Sequence, residues 1–256
     1  MQLNDEQWDV IRKHFPEENP IQGKPGPKPT PAREILEAVL WILNTGAQWA
    51  ELPQRYPPYQ TVHRRFQAWC RDDTLCDILC DLANQLRDRG VIDERESFID
   101  AMFCPAKGGG DGVGKTKRGK GSKIMAIVDR QGLPLAVSVH AANHHEVTLV
   151  QLTFNFYMIE AMPEKLIGDR AYDSAPLDEE LAQDGIDMVA PHRKNRRKAR
   201  TQDGRTLRRY ARRWIVERFF AWVQWRRRIL VRWEYHMDNF LGFVRLTAAF
   251  ILLRRI

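Results

Sequence analysis

The chain of 256 residues has little cysteine and no long hydrophobic run. Its four cysteines are Cys70, Cys76, Cys80 and Cys104. They form no C-x-x-C pair, and the one-turn spacing of Cys76 and Cys80 favours core thiols over zinc ligands. The apolar stretch from Phe240 to Leu253 is too short to cross a bilayer and contains Arg245. No charged-then-apolar leader follows Met1. We therefore expect a reduced, cytoplasmic protein with no membrane partner.

Positive charge is present in excess, and it is unevenly distributed. The formal net charge is +7 and the isoelectric point is near 9.4. The segments from Lys107 to Lys123 and from Arg193 to Arg232 are strongly basic, whereas the first hundred residues mix both signs. Such segments raise the local concentration of a polyanion. A merely solvated surface is the alternative, but interleaved tryptophans and flanking acids favour nucleic acid and a nucleoid-associated protein.

Three carboxylates stand out against this charge. Glu217 lies within an arginine- and tryptophan-rich segment that has helical spacing, Asp100 ends the run Ser-Phe-Ile-Asp, and Asp169 follows Lys-Leu-Ile-Gly. Acids on separate elements within a basic surface favour metal-assisted phosphoryl chemistry on a nucleic acid. Two Mg²⁺ (or Mn²⁺) ions need only a few carboxylates, because they retain water and bind substrate phosphate. The structural alternatives are a strand end, a turn residue and an ion pair of Glu217 with Arg213 or Arg218.

The periodicity of the chain predicts an α/β protein in two parts. Helices are expected over 5–15, 32–44, 60–71 and 73–89, with a basic Pro/Gly linker at 16–31. Strands are expected over 97–103, 123–129, 133–140, 165–168 and 187–190, and helices over 146–160, 176–184 and around Glu217. This order is ribonuclease-H-like: a mixed sheet flanked by helices, whose first and fourth strands bring two acids side by side. We predict a helical DNA-binding domain at 1–92 and a catalytic domain at 93–256. The first resembles a helix-turn-helix module, with an ordinary helical bundle as the alternative.

Several segments together resemble a known family. Tyr210, Arg213 and Glu217 fit the first part of the Y-(2)-R-(3)-E-(6)-K signature of DDE insertion-sequence transposases, in particular the insertion-sequence-five group. The segments 46–53, 61–69 and 168–174 resemble further parts of that group, so the likeness covers nearly the whole chain. One position departs, because Gln224 stands where the signature has its lysine, which Arg226 or Arg227 would have to replace.

The resemblance implies a function and partners. A member of this bacterial family binds the terminal inverted repeats of its element as double-stranded DNA, cleaves them as a metal-dependent endonuclease, and transfers the 3′-hydroxyl strand to a target. It acts as a synapsed homodimer. We expect Asp100 to bridge both metal ions, with Asp169 and Glu217 each holding one. The alternatives are a ribonuclease-H-like nuclease or resolvase that does not join strands, and a catalytically dead DNA-binding derivative.

A glycine-rich segment matches a nucleotide-binding pattern. Residues 109–116 read G-x-x-x-x-G-K-T, the letters of a P-loop. A P-loop requires a helix directly after it, and the glycine-rich residues 117–122 start a helix poorly. We therefore predict no nucleotide cofactor and, instead, a mobile basic hairpin loop whose glycines approach the DNA backbone.

Cationic and polar residues form the predicted DNA contacts. They are Arg64, Arg65, Lys115, Lys117, Arg118, Lys120, Lys123, Arg193, Lys194, Arg196, Arg197, Tyr210, Arg213, Gln224, Arg226 and Arg227. Most of the tryptophans Trp214, Trp222, Trp225 and Trp233 are expected to pack in the core, with synaptic contact or stacking on unpaired bases as the alternative. The Asn143–Glu146 group is expected to cap a helix, with DNA or metal positioning as the alternative. Asp173 is expected to cap the helix near Pro176.

Overall fold

The computed structural model describes residues 3–18, 29–194 and 204–256. The α-helices in these ranges are α1 (Asp5–Ile11), α2 (Ala32–Thr45), α3 (Tyr59–Arg71), α4 (Thr74–Asp88), α5 (Val150–Phe154), α6 (Ala175–Gln183), α7 (Gly204–Leu207), α8 (Trp214–Gln224), α9 (Arg227–Leu230) and α10 (Met237–Leu253). The strands are β1 (Glu96–Pro105), β2 (Gly114–Thr116), β3 (Gly119–Val128), β4 (Pro134–Ala141), β5 (Lys165–Ile167) and β6 (Asp187–Val189).

The amino-terminal region is helical, as predicted. The Asn4 side chain accepts a hydrogen bond from the Gln7 N–H at 2.7 Å and so caps α1. Apolar side chains at helical spacing bury one face, with Trp8, Ile11 and Phe15 in the core. The helix predicted to reach residue 15 ends earlier, because Arg12–His14 tighten into a 3₁₀ turn.

Helices α2, α3 and α4 lie where the sequence predicts them. Helix α2 ends at Gly46, whose φ of 70° is the left-handed conformation that glycine adopts at low cost. The connection from α2 to α3 spans residues 46–58 and includes a 3₁₀ turn at Trp49–Glu51, so it is longer than the short turn of a typical helix-turn-helix. Recognition of DNA by α3 therefore stays a prediction.

The second region is built on one mixed sheet. Strand β1 pairs antiparallel with β3 and parallel with β5, β5 pairs parallel with β6, and β4 pairs antiparallel with β3. The hydrophobic run Ile124–Val128 makes β3 a central strand, because both of its faces are buried. The predicted mixed sheet flanked by helices is confirmed. The short strand β2, which the sequence did not predict, adds a hairpin to β3.

The carboxyl-terminal helix joins the two regions. Helix α10 packs against α3 and α4 and also against β4. The Phe66 and Phe243 rings lie 4.5 Å apart, and a side chain at Gly242 would collide with Cys70. Since the core is continuous through this contact, the boundary between 1–92 and 93–256 stays a prediction.

A helix predicted in the second region is shorter than expected. The helix predicted over 146–160 consists of a 3₁₀ turn at Glu146–Leu149 followed by α5, and it stops at Phe154. It stops because the chain turns back along β4, where the Met158 N–H donates to the Leu135 carbonyl at 2.9 Å. The helix predicted around Glu217 is α8, which ends at Gln224, and the basic segment continues through the extended residue Arg226.

The linker prediction is corrected at its beginning. Pro16–Glu18 form a 3₁₀ turn although the segment was predicted to be non-helical, because proline fits the first turn of a helix. Residues 19–28 of the predicted linker lie outside the described ranges. No helix in the described ranges has the length and hydropathy to cross a membrane.

Candidate active site

Two of the predicted acids lie on neighbouring parallel strands. In the register of β1 and β5, Phe98 is opposite Ile167, and extending it by two residues brings Asp100 opposite Asp169. Adjacent strands are about 4.8 Å apart, so the two side chains emerge next to each other just beyond the point where the pairing of β1 with β5 ends. The buried residues before them hold the strands in the core, which makes this placement rigid.

Each of these aspartates has one oxygen held by the backbone. Asp100 Oδ1 accepts the Ala101 N–H at 2.8 Å, and Asp169 Oδ1 accepts the Ala171 N–H at 2.6 Å. The other oxygen of each faces the same cation, because Arg213 Nη1 lies 3.4 Å from Asp100 Oδ2 and 3.8 Å from Asp169 Oδ2. Two preoriented carboxylate oxygens therefore converge on one position.

Helix α8 supplies the third acid. Its apolar face, which includes Val216, Phe219 and Val223, is buried against the sheet, and this leaves Glu217 at the exposed edge. Glu217 Oε1 accepts a hydrogen bond from Arg213 Nη2, so the structural alternative of an Arg213 ion pair is present in this state. Since the same guanidinium contacts all three acids, the ion pair assembles the predicted triad instead of removing Glu217 from it.

The backbone around Tyr210 is not the α-helix that the sequence predicts. We expected Tyr210, Arg213 and Glu217 to share one helical face, but Tyr210 lies in the 3₁₀ segment Arg208–Arg212. The Arg213 guanidinium still lies 5.8 Å from the centre of the Tyr210 ring. Glu96 anchors the 3₁₀ segment to the start of β1, since its carboxylate pairs with Arg209 and with Arg212.

The local electrostatics single out Asp100. The pKa of Asp100 is raised to about 6, mainly by burial. The charges of Asp169 and Glu146 also raise this pKa, whereas the Ala101 N–H and Arg213 lower it. A carboxyl among other acids holds its proton more tightly unless a cation is close. The site therefore favours a bound positive charge.

The residues fit a divalent cation in chemistry, but the arrangement is not a preformed metal site. Mg²⁺ prefers carboxylate oxygens, which the three acids provide. As the side chains stand, no cluster of three metal-ligating residues is found among the described residues. The Arg213 guanidinium contacts all three carboxylates and supplies the positive charge that offsets them in this arrangement.

Two further residues of the site were missed or underweighted by the sequence analysis. Glu146 contributes to the pKa of Asp100, and its carboxylate pairs with Lys123 Nζ at 3.2 Å. Tyr172 is fully buried, and its hydroxyl has no hydrogen-bond partner among the residues that the structure describes. Burial, together with Glu146, Asp100 and Asp169, raises the pKa of Tyr172 well above its ordinary value. The polar Asn143–Glu146 group after β4 was the available signal for Glu146.

Asp173 was predicted to cap α6, but it does not occupy the cap position. Ser174 occupies the cap position without a side-chain hydrogen bond. The Asp173 carboxylate instead lies 3.0 Å from His192 Nδ1 and accepts the Arg193 N–H at 2.7 Å. This contact draws residues 192–193 across the turn that carries Asp169.

Only some predicted DNA-binding side chains are available to a ligand. Those exposed are Arg64, Lys115, Lys117, Arg118, Lys120, Arg193, Lys194, Gln224 and Arg227. The Arg193 guanidinium nevertheless donates to the carbonyls of Arg170 at 3.0 Å and of Ala171 at 2.6 Å. Arg65 pairs with Glu17 at 2.8 Å, Lys123 with Glu146 at 3.2 Å, and Arg226 donates to Asn44 Oδ1 at 2.6 Å. These three are committed to contacts within the chain. Arg196 and Arg197 lie outside the described residues.

Gln224 lies along the same surface as the acids. Its Nε2 atom is 3.1 Å from Met102 Sδ, and Met102 is two residues beyond Asp100 on the same face of β1. Of the two arginines proposed to replace the family's lysine, Arg227 is exposed and Arg226 is half-buried. Arg227 is therefore the better candidate.

The glycine-rich loop differs from both of the forms considered for it. Residues Gly114–Thr116 form strand β2 and pair with β3, so no helix follows the P-loop letters. The glycines from 110 to 114 are not mobile spacers, because they pack against the chain. A side chain at Gly110 would collide with the Tyr235 carbonyl, and one at Gly112 with Met237. Gly109 and Gly119 lie in open space, and the tip of the hairpin at residues 117–120 is exposed, so approach of this loop to DNA stays a prediction.

Comparison with known proteins identifies the family. A family described as "Transposase DDE domain" matches residues 92–252, which is more than half of the chain. The chain belongs to the DDE transposases. A family described as "Putative transposase of IS4/5 family" matches residues 3–79.

Relatives and solved structures extend this likeness. The chain is 37% identical over 83 residues to an uncharacterized protein, y4sN, of Sinorhizobium fredii, covering 32% of this chain and 64% of that one. It is 33% identical over 139 residues to a "putative transposase for insertion sequence element IS402" of Burkholderia cepacia, covering 51% and 62%. The chain thus spans less than two thirds of these relatives. The piggyBac transposase, solved as a synaptic complex with hairpin DNA, has the same fold, with a TM-score of 0.54, 11% identity, and coverage of 98% of this chain and 71% of that one.

Proposed function

We propose that the chain is the transposase of an insertion sequence. It binds double-stranded DNA at the terminal inverted repeats of its element, cleaves there, and joins the freed 3′-hydroxyl to a target. One observation carries the proposal. Asp100 Oδ2 and Asp169 Oδ2 lie 3.4 and 3.8 Å from one guanidinium nitrogen, and Glu217 binds the other nitrogen of that group. Membership of the DDE family supports the assignment of these three acids.

Each acid has a distinct part in the proposed site. Asp100 is the most buried of the three, which supports it as the ligand shared by two ions. Asp169 and Glu217 would hold one ion each, from opposite sides. Two Mg²⁺ or Mn²⁺ ions, when bound, supply an activated water, a stabilised leaving oxygen and neutralised phosphate charge.

Arg213 is proposed to change partners during the reaction. In the structure its guanidinium neutralises the three acids at the position where they converge. Bound Mg²⁺ would neutralise the acids in its place, which would leave the guanidinium free for a DNA phosphate, with which arginine forms paired hydrogen bonds. The neighbouring Tyr210 hydroxyl is proposed to bind the backbone beside it.

The remaining DNA contacts follow from exposed positive charge. Arg64 on α3 is proposed to contact the repeat, and the hairpin tip, with Lys117, Arg118 and Lys120, to contact the backbone near the sheet. Because transposition requires both ends of the element to be held together, we propose a homodimer on DNA.

The test uses the DNA that flanks the gene for this chain. Purified protein is incubated with a labelled duplex that carries the element end and with a supercoiled plasmid, in Mg²⁺ or in EDTA. We expect Mg²⁺-dependent nicking followed by joined product, and neither in the matched variant Glu217→Gln. End binding by that variant, measured by gel shift, should remain within about twofold of wild type, since the substitution removes only one charge.

The other outcomes separate the rival functions. Cleavage without joining would identify a nuclease or resolvase. Tight end binding without chemistry in Mg²⁺ or Mn²⁺ would identify a DNA-binding derivative and contradict the proposal.

A further inference from the structure

Two exposed aromatic rings project beyond α9. The Trp233 side chain is 52% exposed and that of Tyr235 is 66% exposed, whereas most of the aromatic side chains described pack into the core. Lys107 Nζ lies 6.0 Å from the centre of the Trp233 ring, and the Tyr235 ring stands edge-on to His236. Exposed rings beside a cation suit a flat, negatively charged partner.

A buried arginine holds these rings in place. Arg232, which directly precedes Trp233, is 1% exposed, and its backbone N–H donates to the Pro105 carbonyl at 2.8 Å. Its carbonyl accepts the Lys107 N–H at 3.0 Å. The guanidinium hydrogen-bonds to Ser122 Oγ and to the carbonyls of Asp111, Gly112, Glu234 and Tyr235. These hydrogen bonds fix the backbone around Trp233 and Tyr235, so this segment loses little conformational freedom when a ligand binds.

Positive charge continues from this support. The Ala106 N–H donates to the Lys120 carbonyl at 3.0 Å, which joins the exposed β2–β3 hairpin to the segment carrying Lys107. The hairpin adds exposed Lys117 and Arg118. The nearby acid Asp111 is engaged by the Met237 N–H at 2.9 Å. We call the surface of Lys107, Lys120, Trp233 and Tyr235 the aromatic strip.

The position of the aromatic strip relates it to the active site. Strand β1 carries Asp100 near its middle and leads to Lys107, seven residues later, which is roughly 20 Å along an extended chain. A stacked nucleic-acid strand advances about 3.4 Å per nucleotide, so the distance from Asp100 to Lys107 corresponds to about six nucleotides.

We propose that the aromatic strip binds unpaired nucleotides of a DNA strand by stacking bases on Trp233 and Tyr235. Lys107 and Lys120 neutralise the phosphates between these bases. This combination of rings and cations matches how proteins hold single strands without reading their sequence. The inference rests on the proposed function, since it gives the cleaved DNA a melted segment near the active site.

The test measures binding of a fluorescein-labelled dT12 oligonucleotide by anisotropy, in EDTA and at constant salt. Loss of one stacking ring should weaken binding between about fivefold and about a hundredfold. We expect this loss in Trp233→Leu and in Tyr235→Leu, and near wild-type binding in Trp233→Phe, which keeps an aromatic face. Tyr59→Leu, at an exposed ring on α3, is the matched control and should bind dT12 as wild type does.

A blunt 30-base-pair duplex, titrated in the same buffer, separates this inference from the proposed function. Trp233→Leu should bind the duplex as tightly as wild type. Unchanged dT12 binding by Trp233→Leu, or an equal loss for dT12 and duplex, would overturn the aromatic strip and leave the transposase proposal standing. A Trp233→Leu protein that changes from dimer to monomer in sedimentation, with dT12 binding unchanged, would assign the strip to contact between copies and equally overturn it.

Discussion

Replacing Arg213 by glutamine tests whether its guanidinium acts as the counter-charge of the acidic triad. The Asp100 side chain is 17% exposed, that of Asp169 32% and that of Glu217 50%, so solvent screens the three pairs to different degrees. The Asp100 pair contributes most, and the other two add a few tenths of a kcal/mol each. We expect Arg213→Gln to lower the free energy of unfolding by about 2 kcal/mol.

This loss has two measurable consequences. In EDTA, thermal unfolding followed by circular dichroism should shift down by about 4–8 °C, since about 2–4 °C corresponds to 1 kcal/mol in a chain of this size. In a Mn²⁺ titration by calorimetry without DNA, the variant should bind more tightly than wild type, by about 30-fold, because no guanidinium has to be displaced. Stability and metal affinity thus change in opposite directions.

Arg212→Gln is the matched control. Arg212 precedes Arg213 directly but pairs with Glu96, which keeps its contact with Arg209. This control should leave Mn²⁺ affinity unchanged. An Arg213→Gln protein with wild-type stability in EDTA and wild-type Mn²⁺ affinity would refute the reasoning, because the guanidinium would then not compete for the site.

Three further predictions concern other parts of the chain. Burial raises the pKa of Asp129 to about 6, so the folded chain holds the proton of this carboxyl more tightly than the unfolded chain does. Lowering the pH from 7 to 5 should therefore stabilise wild type by about 1 kcal/mol relative to Asp129→Asn, measured by urea unfolding. Gly110→Ala should lower Tm by several degrees, because its φ is 128° and a backbone carbonyl blocks the new methyl group, whereas Gly108→Ala, in open space, should be neutral. Arg64→Ala should weaken binding of the element end and flatten its salt dependence in a filter-binding assay, whereas Arg65→Ala, which loses an internal ion pair, should mainly lower Tm.

The placement of two candidate catalytic acids was predictable because local pattern determines it. Hydrophobic runs identified β1 and β5, and an aspartate follows each run, directly at Asp100 and after Gly168 at Asp169. Asp100 and Asp169 therefore emerge side by side without any knowledge of distant contacts. The spacing of apolar residues in α8 likewise left Glu217 on its exposed edge.

The errors arise where distant residues decide the structure. The P-loop-like segment packs against the chain because Arg232, more than a hundred residues away, hydrogen-bonds to the carbonyls of Asp111 and Gly112. The helix after β4 ends early because Met158 pairs with Leu135 of that strand. Glu146 joins the site through folding of a separate segment, so the polar Asn143–Glu146 group alone did not reveal its contact with Lys123 or its effect on Asp100.

The most direct test of the central claim is to locate Mn²⁺ in crystals of the chain with its element-end DNA, by anomalous scattering. The account predicts peaks bounded by Asp100, Asp169 and Glu217, with carboxylate oxygens about 2.1 Å from the metal and Arg213 moved toward a phosphate. The absence of Mn²⁺ from these acids in crystals that contain cleaved DNA, or Mn²⁺ bound only elsewhere, would contradict it.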